Sequence, residues 1–319
     1  MFKKYPSIEN SYRMGFVQKA LTMYPELETC KYVIQEKIHG SNFQIIISKD
    51  DSVSYGKRTS SLQPTEKFYE YQSVVSKSSI QNLITEIKKT CPYTNLTNTH
   101  ITLYGELFGA NIQKGISYGQ ERKILFYDIS IDGSLMAPIV LYDLFNLIDA
   151  KEYIVPTLDI VSGLKDAMEY NIEFNSKAGI NNGISTDEEN ICEGVVIKPY
   201  EKIYFLRGNN LFYLKKKNSK FAEKQREPKN KVTFGGPIQE LRRKFFGYCN
   251  ENRVNSVFSK EGIIQEQKDI GKYIKLVVED AKVDFEIDFS DQLKDIDTNQ
   301  LKRIYNAGAV IVQYLNKYL

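Results

Sequence analysis

The residues best suited to chemistry in this chain are lysines and carboxylates, and they converge on one turn. Lys37 stands in Glu36-Lys37-Ile38-His39-Gly40-Ser41-Asn42, between the strand-forming runs Tyr32-Val33-Ile34-Gln35 and Phe43-Gln44-Ile45-Ile46-Ile47. A lysine where a strand stops is either a solvated charge or a nucleophile. Gly40 then lets the backbone pass close to a bulky group or take a positive φ. A nucleophilic lysine must be an uncharged amine, whereas free lysine is almost wholly protonated at neutral pH. Desolvation or neighbouring positive charge favours the neutral form. Lys198, Lys215 and Lys217 could supply that charge. Lys215 and Lys217 lie two apart on an expected strand and share a face, with Lys216 turned away. Glu193 and Lys198 lie five apart, on opposite faces of a regular strand, so both reach one pocket only if the strand bends, bulges or ends between them.

The elements that must position these groups can be read in order. A helix is expected over 13–24, ending before Pro25. Strands follow at 32–36, 42–48 and 53–58, the last delivering Lys57 and Arg58 at its end. Pro64 and Thr65 open a helix to about Lys89, with Phe68, Tyr71, Val74, Val75, Leu83, Ile84 and Ile87 as its core face. Two more strands, 101–106 and 123–129, flank a glycine-punctuated loop over 108–115. Strict alternation places Phe126 and Asp128 on one face and Tyr127 on the other. Helices are expected at 138–150 and 162–170, a loop at 175–190, and strands at 193–198, 203–206 and 211–217. Residues 215–231 carry eight basic residues against two acidic ones. Thr233-Phe234-Gly235-Gly236-Pro237 reads as a hinge. Beyond it helices are expected at 238–250, 254–260, 268–282 and 298–317, the last capped by Asp297 or Thr298.

With 319 residues and 42% hydrophobic content, the chain can fill two domain cores. Its formal charge of +3 confines any nucleic-acid-binding surface to local patches. No apolar run has the length of a membrane span and no signal peptide opens the chain, so a soluble, cytoplasmic protein is expected. Cys30, Cys91, Cys192 and Cys249 show no C-x-x-C spacing, which reads as reduced thiols. With only His39 and His100 beside them, a structural zinc site is not expected.

Lys37-Ile38-His39-Gly40-Ser41-Asn42 resembles the Lys-x-x-Gly-x-Asn nucleotidyl-lysine motif of the RNA ligase 2 family. Lys57-Arg58-Thr59, Tyr104-Gly105-Glu106, Phe126-Tyr127-Asp128-Ile129, Glu193-Gly194-Val195-Val196-Ile197-Lys198-Pro199 and Lys215-Lys216-Lys217-Asn218-Ser219-Lys220-Phe221 follow in that family's order. The opening, Met1 to Asn10, also resembles phage members. The resemblance implies an α+β fold. An N-terminal nucleotidyltransferase (ATP-grasp-like ligase) domain of antiparallel sheets with flanking helices would take 1–225, a linker 226–237, and a small all-α domain 238–319. It implies an ATP-dependent RNA ligase in which Lys37 carries AMP, with Mg²⁺, or Mn²⁺ in its place. Glu193 would serve metal and adenylate transfer, while Lys198, Lys215 and Lys217 offset phosphate charge. Glu106 would bind the ribose, Tyr127 would stack on adenine where the family more often has Phe, Glu36 would contact adenine mainly through its backbone, and Ile38 would line the nucleotide site. Asn42 would sit at the ribose–phosphate side, Tyr5 would close the pocket, and Arg58 would hold the polynucleotide ends. His39 has no chemical role in this reading. The implied partner is nicked duplex RNA, with the enzyme acting as a monomer. Arg253 to Gly262 and Ile270-Gly271-Lys272-Tyr273 carry a thinner likeness to the family's nick-guiding helical domain.

DNA ligases and capping guanylyltransferases share the core but usually carry Lys-x-Asp-Gly and an appended β-barrel; here Ile38-His39 and a helical tail stand instead. A non-catalytic RNA-binding protein on the same fold, and a ligase acting on single strands, are further alternatives.

Overall fold

The computed structural model describes residues 2–90, 99–222 and 236–319. The chain folds as two compact units, Met1–Lys220 and Phe221–Leu319. The hinge and most of the linker, the later part of the basic run and Cys91 lie outside the described residues. Cys30, Cys192 and Cys249 are free thiols. Among the described residues, no helix is long and apolar enough to cross a membrane.

In the first unit, β1 (Glu9–Asn10), α1 (Met14–Met23) and β2 (Lys31–Glu36) open the chain. The next strands, β3 (Ser41–Ile47), β4 (Val53–Lys57) and β5 (Ser61–Leu62), lead to the helices α2 (Tyr71–Val75) and α3 (Ser78–Thr90). The single helix expected over 64–89 is therefore two. Tyr69 and Glu70, both at positive φ, end the preceding turn, yet every residue of the predicted core face is buried. Then come β6 (Ile101–Phe108), β7 (Lys123–Ile131), β8 (Ser134–Leu135) and α4 (Pro138–Leu147). Strand β9 (Thr157–Ser162) and α5 (Leu164–Glu169) follow. The short helix α6 (Lys177–Asn181) and β9 were missed by the pattern, since 175–190 is polar and β9 is half exposed. The unit closes with β10 (Gly194–Pro199), the ribbon β11 (Phe205–Leu206) and β12 (Asn210–Leu211), and β13 (Leu214–Lys217).

These strands form two main sheets, ordered β1-β13-β10-β2-β9 and β5-β4-β3-β6-β7-β8. All pairings are antiparallel except β1 with β13. Consecutive strands β2 and β3 lie in different sheets, so the turn carrying Lys37 to Gly40 is the crossing between them. One face of the first sheet packs Ile34, Val195, Ile197 and Leu214 against Val17 and Ala20 of α1 and Leu164 and Ala167 of α5. Burying each of the valine, leucine and isoleucine side chains contributes about 1.5–3 kcal/mol. The opposite face mixes Val33 and Val196 with the polar side chains of Gln35, Lys198 and Lys215.

The second unit is helical: α7 (Pro237–Tyr248), α8 (Glu251–Glu261), α9 (Ile270–Asp288), α10 (Ser290–Leu293), α11 (Thr298–Ile304) and α12 (Gly308–Leu315). Tyr273, Val277, Ala281 and Phe285 recur every fourth residue along α9 and are buried against α7, α8, α11 and α12. The helix expected over 298–317 breaks at Asn306 and Ala307. Asp297 caps its first half in a reciprocal box with Gln300.

Candidate active site

Lys37 leaves the end of β2, where its N–H donates to the Gly194 carbonyl at 2.9 Å. The next turn is set by packing. A Cβ on Gly40 would lie 2.4 Å from the Leu107 carbonyl oxygen, so this glycine allows close passage against β6 and takes no positive φ. The N–H of His39 donates to the Tyr118 hydroxyl at 2.9 Å, which ties the turn to the loop between β6 and β7. Ile38 is buried.

Glu193 organises the side chains. Lys37 Nζ lies 2.9 Å from its Oε2 and Lys217 Nζ 3.0 Å from its Oε1. His39 Nδ1 lies 3.1 Å from Oε2. An ionised carboxylate only accepts, so Nδ1 carries the proton in this contact. Burial pushes the Glu193 carboxyl upward, but the charges of Lys217 and Lys37 and the bond from His39 overcome it and hold its pKa well below the usual range. His39 thus gains a partner that its sequence position did not suggest.

The conflict between Glu193 and Lys198 is resolved at Gly194. Glu193 precedes β10, and Gly194 sits at φ 145°. A Cβ there would meet the Lys216 carbonyl oxygen at 2.0 Å. Only glycine makes this kink, and the kink frees Glu193 from the alternation that governs Lys198. On β13 the alternation holds: Lys216 turns away to the carbonyls of Met168 and Tyr170, at 2.9 and 2.8 Å. Lys215 shares the face of Lys217 and is partly buried.

Lys198 is not one of the cations gathered around Glu193. Its ammonium, almost fully buried, is 2.9 Å from Asp128 Oδ2 and donates to the Tyr127 carbonyl at 2.8 Å. It lies 5.1 Å from the ring centres of Tyr127 and Tyr213. Asp128 also accepts from the Tyr5 hydroxyl, and the Tyr5 ring stands edge-on to Tyr127 at 5.2 Å. The register of β6 with β7 jumps between Tyr104 and Gly105, leaving Tyr127 without a cross-strand partner. This bulge lets neighbours Tyr127 and Asp128 both reach Tyr5 and Lys198. Phe126 packs on Phe145 of α4 instead. Strict alternation was therefore the wrong rule for β7.

Asn42 stands across from Glu106 on β3 and β6. Its Nδ2 donates to the Tyr127 hydroxyl, while its buried Oδ1 has no partner among the described residues. Glu106 is pushed up to about 8, chiefly by burial, with Glu193 adding and Lys37 and Arg58 opposing. Arg58 donates to the Ser7 hydroxyl at 3.1 Å. The Glu36 carboxylate is turned away from the cleft: it accepts from the Ser176 hydroxyl and from the Ala178 N–H at 2.9 Å. Ser176 and Ala178 lie in the stretch expected to be loop, and no sequence signal marked them.

Residues 31–217 match the RNA ligase family model, over half of the chain. The chain belongs to the RNA ligase family. Residues 238–313 match the model for the T4 RNA ligase 2 C-terminal domain, which places this RNA ligase family member in the RNA ligase 2 branch. Over 112 residues it is 30% identical to the RNA-editing ligase 2, mitochondrial, of Trypanosoma brucei brucei. That match spans 34% of this chain and 26% of the trypanosome protein. Naegleria gruberi RNA ligase with PPi aligns at 19% identity and a TM-score of 0.45 over 69% of this chain and 57% of its own. A mutant of the same ligase with ATP and Mn aligns at 18% identity and a TM-score of 0.47, over the same shares.

Proposed function

We propose that this family member is an ATP-dependent RNA ligase that seals 3′-hydroxyl/5′-phosphate nicks in duplex RNA through a lysyl-AMP on Lys37. The observation that carries this reading is one buried carboxylate, Glu193, gripping Lys37, His39 and Lys217 together at the crossing between the sheets.

Lys37 Nζ, its ammonium proton passing to solvent, attacks the α-phosphorus of ATP as a neutral amine. The bond from the α-phosphorus to the bridging oxygen breaks, pyrophosphate leaves, and loss of the second proton to solvent gives the phosphoramidate. The RNA 5′-phosphate then takes AMP from the lysine, giving a 5′–5′ pyrophosphate. The 3′-hydroxyl attacks that activated phosphate and AMP leaves. Glu193 aims Lys37 and, with a pKa held low, is a poor proton acceptor, so it acts by position and not as the base. Lys217 and Lys215 offset the charge of the reacting phosphates. Tyr127 offers a ring face to adenine, and Asn42 Oδ1 and Glu106 offer acceptors to the ribose hydroxyls. With the Glu36 carboxylate and N–H both occupied, its carbonyl and the Ile38 backbone are what remain to meet the base. Tyr5 closes the pocket edge, Lys198 braces Tyr127 from below, and Arg58 takes the RNA ends, a role suited to its forked donors. The helical unit guides the enzyme, a monomer, to A-form duplex by shape and phosphates.

A resident metal centre does not fit the residues present. Both oxygens of Glu193 are engaged, and no group of three or more His, Cys, Asp or Glu converges among the described residues. Mg²⁺ belongs with the nucleotide phosphates, where it would offset their charge.

Incubation with α-³²P-ATP and, separately, α-³²P-GTP tests the reading. Label from ATP alone, stable to base and absent in Lys37→Ala, is expected. Label from GTP would make this a capping-type enzyme, and no label on folded, initially unadenylylated protein would leave an RNA-binding protein.

A further inference from the structure

We propose that the N-terminal unit holds a second RNA site, a groove that takes a single-stranded segment of a few nucleotides beside the catalytic cleft. The groove has a volume of about 1270 Å³, beyond the roughly 300–1,000 Å³ usual for one small ligand. None of Lys37, Glu106, Tyr127, Glu193 or Lys217 lines it. It lies where β7 and β9 part, walled by Lys123, Lys151, Lys177, Tyr153, Tyr170 and Phe174.

Charge and rings select the occupant. The lining holds five basic side chains and two acidic ones. Lys77 is matched by Glu121 at 3.1 Å, Arg122 by Glu70, and Lys123 donates to Asn182 at 2.7 Å. Lys151 and Lys177 are exposed, and no ion pair or hydrogen bond engages either side-chain ammonium among the described residues, although the Lys177 charge acts on the buried Glu36 carboxylate. Tyr153, Tyr170 and Phe174 are only partly buried; Tyr170 and Phe174 also pack against the core of the first sheet, so Tyr153 is the ring that core leaves open. Unmatched cations beside an open ring form the stacking and charge pattern that suits single strands irrespective of sequence. An acidic peptide pairing with the open edge of β9 fits less well, because only Thr157 and Leu158 of that strand line the groove and strand addition needs the length of the edge.

The site is wired to the catalytic turn. Pro156 in the groove wall accepts from the Glu36 N–H at 2.9 Å, and Ala178, also in the wall, donates to the Glu36 carboxylate at 2.9 Å. A strand held here rests on the two supports of the residue preceding Lys37. The choice of RNA rests on the RNA ligase reading; the groove itself does not.

The test titrates the full chain with a fluorescent single-stranded RNA lacking a 5′-phosphate, at several salt concentrations, and crosslinks a 4-thiouridine version. Lys151→Gln combined with Lys177→Gln, which removes two charges without adding a carboxylate beside Glu36, should weaken binding about tenfold or more. It should also flatten the salt slope by about 1.4, since each neutralised phosphate contributes about 0.7 for single strands. Labelling of Lys37 by ATP should be unchanged, and crosslinks should fall on Tyr153 or Tyr170. Unaltered affinity and slope, or crosslinks confined to the Lys37 cleft, would overturn the site. Displacement of a bound acidic peptide without any RNA effect would assign the groove to protein instead. Failure of ATP labelling with RNA binding intact would sink the ligase reading alone.

Discussion

Glu193 and Asp128 are both buried carboxylates with a lysine ammonium 2.9 Å away, yet they are pushed in opposite directions. Asp128 meets one cation, Lys198, and the Tyr5 hydroxyl, and burial still wins, raising its pKa. The same burial lowers that of Lys198. Glu193 meets Lys37, Lys217 and His39, and their combined charge defeats burial. One buried ion pair therefore says little about chemistry. A pair with surplus cations can exchange partners with incoming phosphates, whereas a balanced pair sealed under tyrosine rings is a brace.

Removing the centre of the cationic cluster breaks the comparison most severely. Glu193→Ala should slow labelling of Lys37 by roughly 10²–10³-fold, the scale of losing one preorganised polar contact at a reacting centre. Glu193→Gln keeps a hydrogen-bonding head without the charge and should retain more. Single-turnover labelling with α-³²P-ATP reads both; equal loss in the two variants would show that charge and not aim is what Glu193 supplies.

The brace should fail in stability first. Asp128→Ala strands the Lys198 ammonium in an apolar site and should cost about 3–5 kcal/mol, while Asp128→Leu with Lys198→Met should recover most of it. Urea unfolding measures each. The sharper reading comes from labelling by the stable double variant. Recovery of labelling along with stability keeps Lys198 as a brace. Labelling still lost in a fully folded double variant would give Lys198 a direct part in the reaction, as the family resemblance implied, and the contrast with Glu193 would collapse.

How much of this could be read beforehand differs between the same two places. That Lys37, Lys217 and Glu193 come together was legible because type, spacing and motif order agreed, and Lys216 pointing away followed from alternation alone. The partners were not legible. Lys198 on Asp128 depends on a bulge at Tyr127, and Glu193 on Lys37 depends on a kink at Gly194; both are breaks in periodicity, which periodic reading passes over. His39 was named without a role because its partner lies 154 positions away. The helix α6 and its bonds to Glu36 were invisible for the opposite reason, since a five-residue helix carries too little pattern to register. The long helix over 64–89 erred the other way. Its apolar face was correctly chosen, and the turn at Tyr69 and Glu70 left that face buried.

Glu106 lies between the two environments and gives the most diagnostic effect. Its pKa is raised to about 8, chiefly by burial, with Lys37 and Arg58 opposing. A carboxyl whose folded pKa is raised contributes stability that is fully present below its unfolded value, near 4.3, and is lost as pH climbs toward about 8. Stability of the wild type relative to Glu106→Gln, which cannot ionise, should therefore fall steadily between those limits. Bound ribose should reverse the trend, because hydroxyl donors favour the ionised carboxylate. Apparent ATP affinity should then rise with pH in the wild type and stay level in Glu106→Gln. Unfolding and ATP titrations at pH 5, 6.5 and 8 decide it. A stability gap that does not move with pH would mean that Lys37 and Arg58 already hold Glu106 ionised, which would extend the cationic cluster from Glu193 to the ribose side of the cleft.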